Sequence, residues 1–292
     1  MSKGLLDPKV DFVFKNIFGS PNHPEILISF LNATLKAKKK IVNVDIKKTD
    51  IEKQYIEDKY SRLDVKATTS NDEIINIEIQ LKNENNMVKR SLYYLSKMYE
   101  EQLNEKEDYS KLVRTVCINI LNFKYLKTDN FHTGYRFKEI ESNEELTDIM
   151  EVHFIEIPKL QDSSDEKDML VAWTEFLKDP ESEKVRGLEL SIEEIRQAKD
   201  ELIRMSNDST QRELYDMRAN SLRDKMSELN AAERKGIEKG REEGREEGRK
   251  EGIEEGRKEE KIEIARNMKL SVLDTNTIAK ITNLSEDEID KL

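Results

Sequence analysis

The chain has 292 residues, 38% of them charged and 36% apolar, with a formal net charge of −11. That length holds one sizeable core with an extension, or two modest domains, and the balance suits long solvated helices better than one large globule. No apolar run approaches the roughly 18 residues needed to cross a bilayer and no signal-peptide core opens the chain, so a cytoplasmic protein is expected, while the single Cys117 excludes an internal disulfide and a cysteine-ligated zinc cluster.

Two helices are predicted between residues 9 and 35. Val10, Phe14, Ile17 and Phe18 recur at helical spacing until Gly19-Ser20-Pro21, and Pro24 opens a second helix whose buried stripe is Ile26, Leu27, Phe30, Leu31 and Leu35. Lys36, Lys38, Lys39, Lys40, Lys47 and Lys48 follow, either as a basic rim for phosphate or as a solvated charge run. Residues 41–46 alternate as a first strand.

A hairpin is predicted over 55–82. Ser61 to Ala67 and Ile74 to Leu81 both read as strands, joined by Asn71-Asp72-Glu73 as a turn. A period of two places Glu78, Gln80 and Lys82 on one face and Ile77, Ile79 and Leu81 on the other. Asp64 then stands beside Glu78. Such acids on a strand face serve solubility, or they gather a hard cation such as Mg²⁺ between two close carboxylates.

Residues 87–104 are expected to form a helix with Leu92, Leu95, Met98, Tyr99 and Leu103 inward, and Val113 to Phe123 to form a central strand. A helix between these strands makes a crossover, which predicts a mixed α/β fold with helices packed on the sheet. Phe131 to Ile140 and Met150 to Ile157 add two strands, the latter ended by Pro158.

From about 166 the pattern is helical. Met169, Leu170, Trp173, Phe176 and Leu177 share a face, on which Trp173 reads as core rather than as a platform for a base. A further stripe runs through Ile192, Ile195, Leu202 and Ile203, then Leu214, Met217, Leu222, Met226 and Leu229. Gly236, Gly240, Gly244, Gly248, Gly252 and Gly256 then recur every four residues among Glu, Lys and Arg. Three readings fit that repeat, a self-association helix, a charged tether or a solvated single helix, with the last two favoured because little apolar surface is offered for burial. The last segment carries caps at Asp274 and Ser285 and a tolerant Asn283 between them, the spacing of a helix-turn-helix hairpin; a docking or dimerisation element is the preferred reading over DNA reading. His23, His132 and His153 show no spacing for a relay or paired ligands, and no phosphate-cradling glycine loop or Ser/His/Asp set appears.

Arg62-Leu63-Asp64-Val65, Glu78-Ile79-Gln80, Arg90 and Tyr93-Tyr94, with Asp11 to Gly19 and Phe30-Leu31-Asn32 near the start, resemble the PD-(D/E)XK nuclease superfamily. The closer resemblance is to its Rpn branch of recombination-promoting nucleases and transposases, in which Gln stands for the usual final Lys. It implies a restriction-endonuclease-like mixed sheet flanked by helices over 1–160, a helical extension over 161–232, a charged arm over 233–263 and a small helix-turn-helix-like element over 264–292. It further implies a metal-dependent DNA endonuclease acting in recombination, transposition or defence against foreign DNA. Asp64, Glu78 and Gln80 are then catalytic, and Mg²⁺, or Mn²⁺ in its place, is held by Asp64, Glu78 and the carbonyl of Ile79. Lys66 or Lys82 supplies the cation that Gln80 lacks, and Asp11, Lys15, Arg90 and Tyr94 support the site or contact phosphate. DNA is the expected partner, with a homodimer through the C-terminal region, no membrane and no nucleotide cofactor. The runner-up keeps the fold as a DNA-binding or assembly module with little cleavage, and a third reading gives the work to the charged arm.

Overall fold

The computed structural model describes residues 4–37, 39–47, 65–165 and 167–292. Among these, six strands form a mixed sheet in the order β1-β2-β3-β4-β6-β5, comprising β1 (Val44–Lys47), β2 (Val65–Thr69), β3 (Ile74–Gln80), β4 (Thr115–Leu121), β5 (His132–Lys138) and β6 (Glu145–Glu156). β2 and β3 form the predicted antiparallel hairpin, with Val65 opposite Ile77 and Lys66 opposite Asn76. Its turn closes through Asp72 N–H to Thr69 O at 3.0 Å, with Asp72 at a φ of 61°, a conformation that Asp tolerates. The first strand begins later than its alternation suggests, at Val44.

β3, β4 and β6 run parallel in the middle of the sheet. The β3–β4 connection is the expected helical crossover, α3 (Met87–Glu100). All seven side chains of β4 are buried, as a strand covered on both faces requires. β6 extends well before the predicted Met150, because its first half pairs with the edge strand β5 and is not part of the apolar centre.

One face of the sheet, carrying Ile75, Ile77, Ile79, Val116, Ile118 and Ile120, packs on α1 (Asp11–Phe18), α2 (Pro24–Leu35), α4 (Met169–Lys178), α5 (Glu183–Ser191) and α6 (Glu193–Asn207) in a single hydrophobic cluster. Phe14 stacks on Phe18 at 4.6 Å, and Phe18 meets Phe30 and Trp173 edge-on. Trp173 is buried and its Nε1 donates to Ser29 Oγ at 3.2 Å, which satisfies the indole and confirms the core reading. Asn32 pins the exit from α2 by exchanging two hydrogen bonds with the Ile41 backbone, at 2.8 and 2.9 Å.

The opposite face is covered by α3. Its buried stripe is Met87, Ser91, Tyr94, Leu95 and Met98, following the 3.6-residue period. Leu92, predicted inward, is 49% exposed because it lies off that stripe, and Tyr99 and Leu103 are only half-buried. Ile203, Met217 and Met226 are likewise exposed, so the predicted apolar stripe there is interrupted.

The chain divides into two compact units, Met1–Leu222 and Arg223–Leu292. α7 (Ser209–Leu270) includes the six glycines, and among the described residues nothing beyond the local helix backbone lies within 4 Å of where a Cβ would stand on any of them. Glycine costs roughly 1 kcal/mol per position in a helix; i,i+4 pairs such as Lys250–Glu246 at 3.3 Å offset a fraction of that. In the second unit, the end of α7, α8 (Thr275–Thr282) and α9 (Glu286–Asp290) bury Ala265, Ile278, Leu284 and Ile289. Ser285 and Glu288 form the expected capping box, and Asn283 takes the left-handed turn at a φ of 58°. No described helix is long and apolar enough to cross a membrane.

Candidate active site

Glu78 sits near the C-terminal end of β3 on the face beneath α3, 1% exposed. Alternation along the strand puts Gln80 on the same face, as predicted, and Asn76 with it, although that face is covered and not solvated. Arg90, one turn into α3, donates from Nε to Glu78 Oε2 at 3.1 Å, and its guanidinium lies 4.9 Å from the centre of the Tyr94 ring. Three residues read from the sequence thus come together: Glu78, Arg90 and Tyr94.

Glu78 Oε1 and Asn76 Oδ1 are both buried without a hydrogen-bond partner among the described residues. Burial of the Glu78 carboxyl pushes its pKa above the ordinary carboxylate value, against the opposing pull of Arg90 and Asn76. A buried acid with one oxygen tied to a cation and the other left open is completed by a proton or by a hard oxygen-seeking cation. Among the described residues no group of three or more His, Cys, Asp or Glu is gathered for a metal. Asp64, the second acid of the predicted pair, lies outside the described residues, as do Arg62 and Leu63; the nearest described pair on the hairpin is Val65 opposite Ile77. Lys38 and Lys48 of the basic run are also outside them.

Lys66, directly opposite Asn76, shares the Glu78 face and stands 3.9 Å from Glu101. The Ile79 side chain faces the main core, so the residue borders the site through its backbone alone. Lys82 lies in the link that leads to α3. Asp11 is engaged by Arg218, whose Nη1 is 3.1 Å from its Oδ2, and Lys15 lends its carbonyl to Gly19 N–H at 2.9 Å. In the basic run, Lys36 pairs with Asp168 and Lys47 with Asp45.

The sequence reading missed the polar layer next to Glu78. Asn119, opposite Glu78 on β4, accepts from Ser91 Oγ at 2.9 Å and donates to His153 O at 3.1 Å. A lone amide within Val116–Leu121 was the available signal. Cys117 is buried beside it and its thiol is pushed up to about 12 by that burial, which makes it inert. A second polar cluster lies on the other face of the sheet. His132 and His153 stack with nitrogens 2.9 Å apart, and His153 Nε2 is 2.6 Å from Glu151 Oε1. Burial works to raise the pKa of Glu151, but His153, Arg114 and Arg136 hold it at about 2. The two histidines are brought together only by the β5–β6 register, so their sequence separation gave no relay signal.

A mixed sheet with a buried acid near the end of a central strand, covered by a crossover helix that carries its Arg, is the class of fold and polar site that the chain presents. Residues 8–232 match the PD-(D/E)XK nuclease family transposase, and the chain belongs to that family. Residues 258–292 match the C-terminal HTH domain of the Rpn/YhgA-like nuclease family, in line with the helix-turn-helix spacing. No curated protein and no solved structure matches the chain significantly.

Proposed function

We propose that the protein is a metal-dependent DNA endonuclease, with Asp64 and Glu78 as its acids and Gln80 as the third catalytic residue. The observation that carries this reading is Glu78: a buried carboxylate, held at Oε2 by Arg90 and open at Oε1, on the strand that also bears Gln80. The donors are hard oxygens, Glu78, Asp64 and the Ile79 carbonyl, which suit Mg²⁺ and also Mn²⁺. When bound, such a cation supplies Lewis-acid polarisation of a phosphoryl oxygen and lowers the pKa of water.

The chain's own residues do the rest. Arg90 fixes the rotamer of Glu78, so that one oxygen is presented and the other is not. The Gln80 amide can donate to a phosphate oxygen and accept from an attacking water, but it brings no charge to the transition state. Lys66, on the same face, or Lys82, two residues on from Gln80, is the cation to make up that deficit. DNA is the proposed substrate, and recombination, transposition or defence the proposed setting.

The test is nicking of supercoiled plasmid by the full chain with Mg²⁺ and with a chelator, alongside Asp64→Ala and Glu78→Gln. Cleavage by the parent alone and with metal alone is expected. A DNA mobility shift without any cleavage, unchanged in both variants, would replace this reading with that of a binding module.

A further inference from the structure

The connection between β4 and β5, residues 122–131, rests on a buried ion pair that no step above uses. Glu156, the last residue of β6, is 1% exposed at its side chain, and Lys159, in the turn after it, is 7% exposed; they meet at 2.7 Å. Their remaining hydrogen bonds go to the backbone of that connection. Glu156 Oε2 accepts from Tyr125 N–H at 2.5 Å and Leu126 N–H at 3.3 Å. Lys159 Nζ donates to Leu126 O at 2.7 Å and Thr128 O at 2.6 Å. Burying two charges is costly and gives little net stability over apolar residues of the same volume. What the pair does provide is shape, because four backbone groups of an irregular segment are fixed from beneath.

That segment is placed against the proposed site from two sides. It begins with Asn122 N–H donating to Gln80 O at 2.9 Å, at the C-terminal ends of β3 and β4. It then returns to the start of α3, where Tyr125 Oη accepts from Val88 N–H at 3.4 Å, two residues before Arg90. Tyr125 is seated between Phe123 and Phe154, which turns the intervening Lys124 outward. Lys124 and Lys127 are exposed, and neither has an ion-pair partner among the described residues, unlike Lys36 and Lys47 of the basic run.

We propose that residues 122–130 grip the phosphates of the DNA strand that flanks the scissile bond, through Lys124 and Lys127, and that Glu156 and Lys159 form the clamp that holds this loop in its gripping shape. The proposal rests on the nuclease reading for its substrate. It also gives an acidic protein a local answer to the repulsion of a polyanion: two rigidly presented cations beside the site count for more at close range than the net charge does at long range.

The experiment measures affinity for a fluorescent DNA duplex across a salt series, with the full chain carrying Glu78→Gln so that binding is read without cleavage. Lys124→Ala with Lys127→Ala is expected to weaken binding and to lower the salt slope by roughly two, one for each phosphate no longer neutralised. In the parent background the same pair should raise KM and leave kcat near its original value. Glu156→Gln with Lys159→Met removes both buried charges together; amide exchange over 122–130 should accelerate while β4 stays protected, and affinity should fall in step. An unchanged salt slope in the lysine variant overturns the proposal, as does faster loop exchange with unchanged affinity. Cleavage by the parent that ignores the lysines sinks the grip alone, whereas lysine-dependent binding without any cleavage sinks the nuclease reading and leaves the grip standing.

Discussion

Arg90 Nε and Glu78 Oε2, 3.1 Å apart, tie the first turn of the crossover helix to the central strand it covers. The pair is asymmetric, since Glu78 is sealed from solvent and Arg90 is about a quarter exposed. Removing the cation therefore leaves a buried carboxylate uncompensated. Arg90→Ala is expected to destabilise the fold by about 1–3 kcal/mol, the range for a hydrogen bond to a charged group discounted for partial exposure. It should also raise the Glu78 pKa further and move the acid limb of cleavage to higher pH. Urea midpoints and a pH–rate profile check both, and an unmoved acid limb would show that Arg90 does not set the charge on Glu78.

Glu78→Gln should have the opposite effect on stability. The folded-state pKa of Glu78 lies above its ordinary value, so the folded protein binds a proton more tightly than the unfolded chain does. Its stability is therefore highest below the ordinary carboxylate range and declines as pH rises from there through the raised pKa. The amide escapes that decline. In chelator at neutral pH, Glu78→Gln is expected to melt above the parent, with the gap closing towards acid pH and with cleavage lost. Mg²⁺ should raise the melting temperature of the parent and not that of the variant; equal melting curves at all pH values would contradict the assignment.

Gly19 closes α1 against the hairpin. A Cβ there would stand 2.7 Å from Lys15 O and 3.3 Å from Val65 Cγ2, the first of which no real Cβ tolerates. Gly19→Ala must therefore shift the end of α1 or the start of β2. A loss of about 1–2 kcal/mol is expected, typical of overpacking. Because Val65 follows Asp64 in the chain, cleavage should fall by more than stability alone explains, which thermal melts and initial rates on plasmid can separate.

Much of this arrangement was legible in the sequence where a period was enforced by burial. The β3 alternation, the largely apolar and wholly buried β4 and the crossover between them specified a mixed sheet, and Glu78 and Gln80 fell on one face for that reason. The inward face of α3 was misjudged because Leu92 competes with Ser91 on hydrophobicity, yet Ser91 is inward, bonded to a buried Asn119 that no helix pattern reveals. His132 and His153 were illegible for a different reason: their meeting depends on the register of an edge strand with bulges. Asp64 was placed beside Glu78 by the strand pattern and given its catalytic role by resemblance, and it lies outside the described residues.

His132 sets a pH dependence apart from the proposed site. Burial, then His153 and Lys36, hold its pKa at about 4, against the weaker pull of Asp168 and Glu151. Below the ordinary histidine range the unfolded chain takes up a proton that the folded one refuses until about pH 4. Stability should therefore fall as pH drops from about 6.5 towards 4. His132→Asn removes that slope, so denaturant midpoints for the variant should be flatter than the parent's across this window. Parallel curves would mean that His132 is protonated as easily folded as unfolded.

Gln80→Lys tests whether the missing charge limits the chemistry. Residue 80 shares the covered face with Glu78, two positions on. An ammonium there would add positive charge beside the phosphate as negative charge develops on it, and would also pull the Glu78 carboxyl down towards its charged form. Both effects favour cleavage at neutral pH. Single-turnover rates on plasmid with Mg²⁺ are expected to match or exceed the parent's, with the acid limb of the pH profile moved to lower pH. The same substitution in a protein that only binds DNA would tighten the mobility shift and produce no nicking, so rate and affinity measured together distinguish a slow nuclease from a binding module.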